Sequence, residues 1–208
     1  MRITKYLHSC LLVEEKDTTL LLDPGIFTYQ EKVLDIKKLS KLDYILITHE
    51  HPDHFHLPFI KELLSKFPKI QIVSNPSVVA ILQKEKIKAT TEGNDLIKIT
   101  PVKHEKVFDR PLVENVQFDL FGRLTDPGDS MSFTNTKEIL ALPVLGPSWM
   151  MTQAAEKAVE LKPKYIIPIH DWFWRDEARI GIYKRFKEYL LPLGIDFKTP
   201  ETGEVIEV

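Results

Sequence analysis

The chain has 208 residues, of which 43% are apolar and 28% are charged, and its formal net charge is -2. This composition is typical of a globular protein and excludes a largely disordered chain. The small net charge, with Lys and Arg scattered along the sequence, gives no indication of the basic surface that nucleic-acid binders use, so nucleic acid is not an expected partner. The length fits one substantial core, and we expect a single domain over residues 1–208.

Cysteine content and hydropathy predict the compartment. The single cysteine, Cys10, lies in an apolar segment and has no second cysteine to pair with, so we expect a buried thiol and a reducing compartment. No apolar run approaches the roughly twenty residues of a membrane span, and the first residues lack the apolar core of a signal peptide. We therefore expect no membrane span and a cytoplasmic location.

The N-terminal part is predicted to form a β-meander. Extended segments over Met1–Leu7, Cys10–Glu14 and Thr19–Leu22 are separated by short polar turns. The third segment ends at the turn Asp23–Gly25, whose composition stops a strand.

From about residue 43, predicted strands alternate with predicted helices. Strands are expected over Tyr44–Ile47 and Ile70–Val73. Asn75 and Pro76 supply a cap and a first-turn proline for the helix after the second strand. The helix between the two strands has its apolar positions at Leu57, Ile60, Leu63, Leu64 and Phe67.

The remainder of the chain returns to short strands and then adds two helices. Thr152 is predicted to cap the first helix. The second is predicted over Asp176–Leu190, ahead of a terminal strand near Val205. The predicted strands are Leu96–Val102, Val116–Leu120, Met131–Phe133, Ile139–Leu142 and Tyr165–Ile169. This mixed order predicts an α/β (α+β) fold, a four-layer αββα sandwich of two mixed sheets with helices on the outer faces.

The loop after the strand Tyr44–Ile47 concentrates side chains that bind metals. Pro52 restricts its own φ and biases the preceding residue away from helix, so the loop can direct its ligands toward two ions. The metal-binding side chains of this loop are His49, His51, Asp53 and His54.

Further candidate ligands follow other predicted strands. His49, His104 and His170 each come at the end of an apolar strand, and we expect their rings to gather at one sheet edge. Another strand ends in Asp23, and a later loop offers Asp129, with Asp126 as a substitute. One tetrahedral ion needs four protein groups or fewer, so a larger set predicts two ions. The candidates are His49, His51, Asp53, His54, His104, Asp129 and His170.

The types of ligand indicate the kind of metal. Imidazole and carboxylate groups without thiolates favour a borderline divalent ion, with Zn²⁺ preferred and Mn²⁺, Fe²⁺ or Ni²⁺ as alternatives. The absence of a cysteine cluster argues against a closed structural zinc site. We therefore expect two divalent ions in an open, reactive centre.

These motifs, in this order and over essentially the whole chain, resemble those of the metallo-β-lactamase fold superfamily. The resemblance implies that His49, His51 and His104 hold one ion. It implies that a second set holds the other ion, with Asp129 as the bridge between them and Asp23 orienting a ligand imidazole from behind. That second set is Asp53, His54 and His170. Asp53 is also expected to take part in catalysis.

The resemblance further implies a hydrolase in which a metal-bound hydroxide cleaves a small ester, lactone or phosphodiester. Leu7–Cys10 and Leu142–Pro147 look closest to the branch that is similar to L-ascorbate-6-phosphate lactonase and N-acylphosphatidylethanolamine phospholipase D. Pro147–Trp149 and Asp171–Trp174 depart from that branch, so its substrates are not transferred. The expected partner is a small-molecule substrate, and a homo-oligomer is left open.

Three alternatives remain beside this interpretation. One is a nuclease or phosphodiesterase of the same fold acting on nucleic acid or a cyclic nucleotide, and another is a non-catalytic metal-binding protein. The third is a di-iron oxidoreductase, but those relatives carry glutamate at the position of His51. Glu50 is predicted to be a solvated charge and His56 a surface residue at a helix start. The roles of four further residues stay open: His8, Trp149, Trp172 and Trp174.

Overall fold

The computed structural model describes residues 1–208 and contains two six-stranded mixed sheets and five α-helices. The chain divides into two compact units, one formed by Met1–Asn94 with Pro200–Val208 and the other by Asp95–Thr199. Each unit holds one sheet. The predicted pair of mixed sheets with accompanying helices is confirmed, while the single domain over residues 1–208 stays a prediction. None of the helices combines the length and the apolar character that crossing a membrane would require.

The first sheet has the order β12-β1-β2-β3-β4-β5. Its first three strands in the chain pair antiparallel, which confirms the predicted meander, and β3, β4 and β5 pair parallel. Since β1 and β3 are both antiparallel to β2, they run in the same direction as β4 and β5. The strands are β1 (Arg2–Lys5), β2 (Leu11–Glu15), β3 (Thr18–Leu22), β4 (Tyr44–Ile47), β5 (Gln71–Ser74) and β12 (Val205–Glu207).

Helices cover one face of this sheet. They are α1 (Ile26–Gln30), α2 (Leu57–Lys66) and α3 (Pro76–Lys84), with a 3₁₀ turn at Ile36–Lys38. The predicted cap of α3 is confirmed, because the Asn75 side chain accepts a hydrogen bond from the Val78 amide at 3.0 Å. The core on this face is built from buried strand and helix residues, among them Leu21, Ile45, Ile72, Phe59 and Leu63.

The second sheet has the order β11-β10-β9-β8-β7-β6. β8, β9, β10 and β11 pair parallel, while β7 is antiparallel to both of its neighbours. As a result β6, β8 and β10 point the same way. The strands are β6 (Ile97–Lys103), β7 (Glu114–Leu120), β8 (Leu124–Asp126), β9 (Ile139–Pro143), β10 (Tyr165–Ile169) and β11 (Asp196–Phe197).

Two helices, α4 (Met151–Leu161) and α5 (Asp176–Leu190), pack on the second sheet. The small buried residues Ala154 and Ala158 let α4 approach closely. On α5, Phe186 stacks on Phe197 of β11 with ring centroids 4.8 Å apart and an interplanar angle of 9°. The chain between α5 and β11 contains a 3₁₀ turn at Leu191–Leu193.

Two local predictions in this unit are wrong. Met131–Phe133 is not a strand, because its amides bind side chains instead of a neighbouring strand: the Met131 amide donates to the Glu105 carboxylate at 3.0 Å and the Ser132 amide to Ser130 Oγ at 3.1 Å. Phe133 nevertheless reaches the core, where it is 1% exposed. Strand β8, which the sequence analysis did not predict, lies between β7 and β9 in this sheet.

The predicted cap of α4 is also misplaced. The helix begins at Met151, so Thr152 lies inside its first turn and cannot be the cap. Instead, the Met150 amide donates to the Gln153 side-chain oxygen at 2.8 Å, which satisfies one of the free donors at the helix start.

Candidate metal centre

Strand direction brings the candidate ligands of the first unit to one edge of its sheet. β1, β3 and β4 run in the same direction, so the residues after their carboxyl ends share that edge. Those residues include His8 after β1, Asp23 after β3 and His49 after β4. The expectation that all three strand-end histidines gather at one sheet edge is wrong, because His104 and His170 follow strands of the other sheet.

The loop after β4 forms a dense cluster of imidazoles. The rings of His49 and His54 lie 4.0 Å apart between centroids, and those of His49 and His51 lie 4.8 Å apart. The ligand atoms of His49 and His51 lie within 4.8 Å of each other, and so do those of His8, Asp53 and His54. The loop therefore presents two groups of donors, as the sequence predicts for this loop.

Asp23 supports this cluster from behind. Its carboxylate is fully buried and accepts hydrogen bonds from the Thr48 amide, the Thr48 hydroxyl and His54 Nδ1, each at 2.7 Å. Because the single Thr48 hydroxyl proton goes to Asp23, Thr48 Oγ1 is left to accept from His49 Nδ1, 3.0 Å away. Asp23 thus holds one imidazole directly and a second through Thr48. The sequence assigned a role of this kind to Asp23 but did not identify Thr48.

The turn that follows Asp23 packs directly against the ligand loop. The Ile26 amide donates to the Pro52 carbonyl at 2.8 Å. A Cβ atom on Gly25 would lie 1.7 Å from the Asp53 carbonyl oxygen, so no other residue fits there without displacing the loop. Asp23 itself adopts a left-handed backbone, with φ of 42°. Gly25 is a site residue that the sequence analysis missed, although the Asp-Pro-Gly signal was visible.

The second unit assembles its own cluster at the carboxyl edge of β6, β8 and β10. His104 follows β6, Asp129 lies three residues after β8, and His170 follows β10. Asp129 Oδ2 lies 3.0 Å from His170 Nε2 and 3.8 Å from His104 Nε2. All three side chains are almost completely buried. The structure therefore brings together the three ligands that the sequence predicts from this half of the chain.

Asp126, the proposed substitute for Asp129, has a different role. Its Oδ1 accepts a hydrogen bond from the Gly128 amide at 2.9 Å, which is an Asx turn that shapes the loop. This turn precedes Asp129, the carboxylate that meets the histidines. The geometry within this unit favours Asp129 over Asp126 as the ligand.

Four histidines across the two clusters share one arrangement. In each, Nδ1 is engaged by a protein oxygen, so Nε2 is the nitrogen that could bind a metal. Where the partner is a carbonyl or carboxylate, that contact fixes the proton on Nδ1 and leaves the Nε2 lone pair for an ion. The pairs are His49 with Thr48 Oγ1, His54 with Asp23, His104 with the Glu105 carbonyl and His170 with the Leu145 carbonyl.

The donor chemistry of the two clusters fits a divalent transition metal. Imidazole nitrogens with fixed tautomers, together with carboxylate oxygens and no thiolate, form the ligand set that Zn²⁺ and similar ions accept. Cys10, the only thiol, is buried elsewhere in the core.

Neighbouring residues also have definite places. Glu50, predicted to be a solvated charge, is half-buried and accepts a hydrogen bond from Ser77 Oγ at 2.6 Å. His56 immediately precedes α2 as predicted, and its ring lies 4.8 Å from that of Tyr29. Partial burial lowers the pKa of His56 below its usual value.

The aromatic residues near His170 divide into core and surface. Trp149 is 2% exposed, and its indole nitrogen donates to the Pro143 carbonyl at 3.1 Å, so it packs behind His170 with ring centroids 5.2 Å apart. Phe173 is 59% exposed, and its ring centroid lies 6.0 Å from that of His170. Trp172 and Trp174 line a surface concavity together with Phe173.

Comparison with known proteins identifies the family. The family model described as a β-lactamase superfamily domain matches residues 2–170. Protein Rv0786c of Mycobacterium tuberculosis is 31% identical, with 88% of this chain and 89% of that protein covered. A UPF0173 metal-dependent hydrolase of Carboxydothermus hydrogenoformans is 27% identical, with 99% of each chain covered.

A solved structure of the same fold superposes on this chain. The metallo-β-lactamase fold protein YhfI of Bacillus subtilis superposes with a TM-score of 0.68 at 16% identity, covering 99% of this chain and 98% of that one. The predicted fold is therefore confirmed, while the narrower branch within the superfamily stays a prediction. By its family model, its relatives and its fold, the chain belongs to the β-lactamase superfamily.

Proposed function

We propose that the chain is a metal-dependent hydrolase that binds two divalent ions. The observation that carries the proposal is the common anchoring of four histidines through Nδ1, which prepares their Nε2 atoms as ligands. The UPF0173 relative from Carboxydothermus hydrogenoformans bears the name of a metal-dependent hydrolase, which supports the same activity here. The proposed ligands are His49, His51, Asp53, His54, His104, Asp129 and His170.

Zn²⁺ is the proposed metal, with Mn²⁺, Fe²⁺ and Ni²⁺ as the alternatives that the donor set allows. When bound, such ions supply Lewis-acid polarisation of the substrate and lower the pKa of water enough to make it a nucleophile near neutral pH. Because the ions provide this activation, no serine or cysteine nucleophile is needed. Cys10 is accordingly a core residue and has no part in the proposed reaction.

The protein contributes orientation and proton handling. Asp23 and Thr48 keep two imidazoles in one tautomer and one ring orientation through their hydrogen bonds. The Asp53 side chain is 20% exposed, whereas that of Asp23, the other carboxylate beside these histidines, is fully buried. Of the two, Asp53 is therefore the carboxylate that a water molecule can reach, and we assign it the proton that the attacking water loses.

The proposed substrate is a small ester, lactone or phosphodiester. The chain has a net charge of -2 and carries no basic footprint for a nucleic acid. Phe173, exposed beside His170, offers an apolar contact for the organic part of such a substrate. An apolar side chain there favours small organic esters over free inorganic polyphosphates.

The test combines metal analysis with hydrolysis assays on the purified chain. We expect about two equivalents of divalent metal and turnover of at least one class among aryl esters, lactones and bis-aryl phosphodiesters. Removal of metal by a chelator should abolish turnover, and addition of Zn²⁺ should restore it. Stoichiometric metal without turnover on any of these classes would contradict the hydrolase, and a redox-active iron pair would do so as well.

A further inference from the structure

His8 occupies a strained position in the turn between β1 and β2. The Cys10 amide donates to the Leu7 carbonyl at 3.1 Å, and the Tyr6 amide donates to the Cys10 carbonyl at 2.9 Å, which closes a tight hairpin. His8 is the first central residue of this turn and has φ of 62°. Glycine is the preferred residue at such a position, because a residue with a Cβ atom is less stable in this backbone conformation. The sequence nevertheless carries an imidazole at this position.

The imidazole of His8 points into the ligand cluster of the first unit. Its side chain is fully buried, and its Nε2 lies 3.1 Å from Asp53 Oδ2. Its ring meets those of Phe27 and His54 edge to face, with centroids 5.3 and 5.5 Å away. These contacts on two sides hold the ring in one orientation, with Nε2 facing the carboxylate.

His8 uses the opposite nitrogen from the anchored histidines. His49 and His54 direct Nδ1 to a protein oxygen and present Nε2 as the ligand. His8 directs Nε2 at the carboxylate of Asp53, a proposed ligand. His170 Nε2 also faces a carboxylate, that of Asp129 at 3.0 Å, but the Nδ1 atom of His170 is anchored by the Leu145 carbonyl as in the other proposed ligands. The contact of His8 with Asp53 is the relation expected of a group that supports a metal-binding carboxylate.

We propose that His8 is the positioning residue for Asp53. Its Nε2–H donates to Oδ2, which fixes the carboxylate rotamer and leaves Oδ1 as the oxygen offered to an ion. The strained hairpin places the imidazole directly beside Asp53, a position that a relaxed turn with glycine would leave without a side chain. The proposal rests on the proposed metal centre for its purpose, and its geometry lies entirely within the first unit.

The test compares His8→Gln with His8→Leu. The glutamine amide nitrogen can take the place of Nε2 and still donate to Asp53, whereas leucine fills similar space without a donor. Zn²⁺ affinity is measured by competition with a chromophoric chelator, and folding is checked by circular dichroism and thermal unfolding. His8→Asn serves as a further donor-bearing variant, because asparagine tolerates a left-handed backbone.

We expect His8→Leu to weaken the binding of one of the two Zn²⁺ ions by about 10- to 100-fold and to leave the other unchanged. His8→Gln should recover most of that loss. The proposal is overturned if His8→Leu binds both ions as tightly as the unaltered chain. It is also overturned if His8→Gln loses an ion completely, which indicates a direct ligand, or if both variants unfold and lose both ions together.

Metal affinity separates this proposal from the proposed hydrolase. If the chain hydrolyses none of the tested substrates but His8→Leu still weakens one ion selectively, the hydrolase fails and the role of His8 stands. If hydrolysis is observed and His8→Leu changes the affinity for neither ion, the hydrolase stands and the role of His8 fails.

Discussion

Asp23 and His54 face each other in the core of the first unit, with His54 Nδ1 donating to Asp23 Oδ2 at 2.7 Å and both side chains fully inaccessible to solvent. A buried carboxylate is stable only when its oxygens are well hydrogen-bonded, and Asp23 accepts two further bonds from Thr48. The pair therefore fixes the tautomer of a proposed metal ligand before any ion binds.

Asp23→Asn tests this relationship. The asparagine amide can present a donor to His54 Nδ1, which would move the imidazole proton to the nitrogen that should bind the ion. We expect Zn²⁺ affinity to fall by about 10- to 100-fold, with a parallel loss of hydrolysis. Asp17→Asn, at an exposed position, is the matched control and should change neither. Unaltered affinity in Asp23→Asn would contradict the role assigned to Asp23.

Thr48 is predicted to act through its hydroxyl and not through its volume. Thr48→Val keeps the shape but removes the group that donates to Asp23 and accepts from His49. We expect weaker Zn²⁺ binding in Thr48→Val and nearly normal binding in Thr48→Ser, which retains the hydroxyl. Titration of both purified variants with Zn²⁺ in the presence of a chelator decides the question. An equal loss in the two variants would show that a hydroxyl at this position is not enough to maintain Zn²⁺ binding, and it would contradict the role assigned to that group.

Removal of a proposed ligand should be more severe than removal of a neighbouring charge. His51→Ala and Asp129→Asn are expected to lower metal content and to reduce hydrolysis by at least about 100-fold, beyond the usual effect of a supporting residue. Glu50→Gln is the internal control, because Glu50 bonds to Ser77 and lies outside the clusters of candidate ligands. Metal analysis and assays of the three variants should separate the first two from the third. Similar losses in all three would refute the ligand assignment.

Much of the fold could be predicted because local chemistry determined it. Asn75 followed by Pro76 predicts a helix start whatever lies around it, and the structure confirms the cap. The strand predicted over Met131–Phe133 was wrong, because apolar residues in an irregular segment can reach a core without joining a sheet. The sequence around this segment does not show that its first amide binds a side chain, since the partner of the Met131 amide, Glu105, lies 26 residues away.

The candidate ligands were predicted from the sequence together with one supporting residue, Asp23, but the other supporting residues were not. Imidazole and carboxylate groups after apolar strands are visible in the sequence, whereas the sheet that each strand joins depends on long-range pairing. For this reason the shared sheet edge predicted for His49, His104 and His170 was wrong. Gly25 and His8 matter through backbone geometry, one by close approach and the other by a positive φ, and neither property can be read from residue type alone.

Cys10 should be inert in the folded chain. It is 1% exposed, and burial raises the pKa of its thiol to about 12, so almost no reactive thiolate forms at pH 8. A raised pKa means that the folded state favours the protonated thiol. The stability of the folded chain is therefore unaffected by this group below about pH 9 and falls as the pH rises from about 9 towards 12. We expect iodoacetamide at pH 8 to modify the denatured chain rapidly and the native chain very slowly, as measured by mass spectrometry. Rapid native labelling would contradict the burial.

Gly25 and Gly181 provide a paired test of close packing beside the ligand loop. An added Cβ at Gly25 would overlap the Asp53 carbonyl oxygen at 1.7 Å, whereas at Gly181, inside α5, a Cβ meets nothing within 4 Å. Gly25→Ala must therefore displace the loop that carries Asp53 and His54, and we expect lower thermal stability together with weaker Zn²⁺ binding. Gly181→Ala should raise the free energy of unfolding by about 0.5–1 kcal/mol through helix propensity and leave metal binding unchanged. Chemical denaturation and Zn²⁺ titration of both variants would show whether Gly25 acts on the site, because tight metal binding in a folded Gly25→Ala chain is incompatible with a displaced loop.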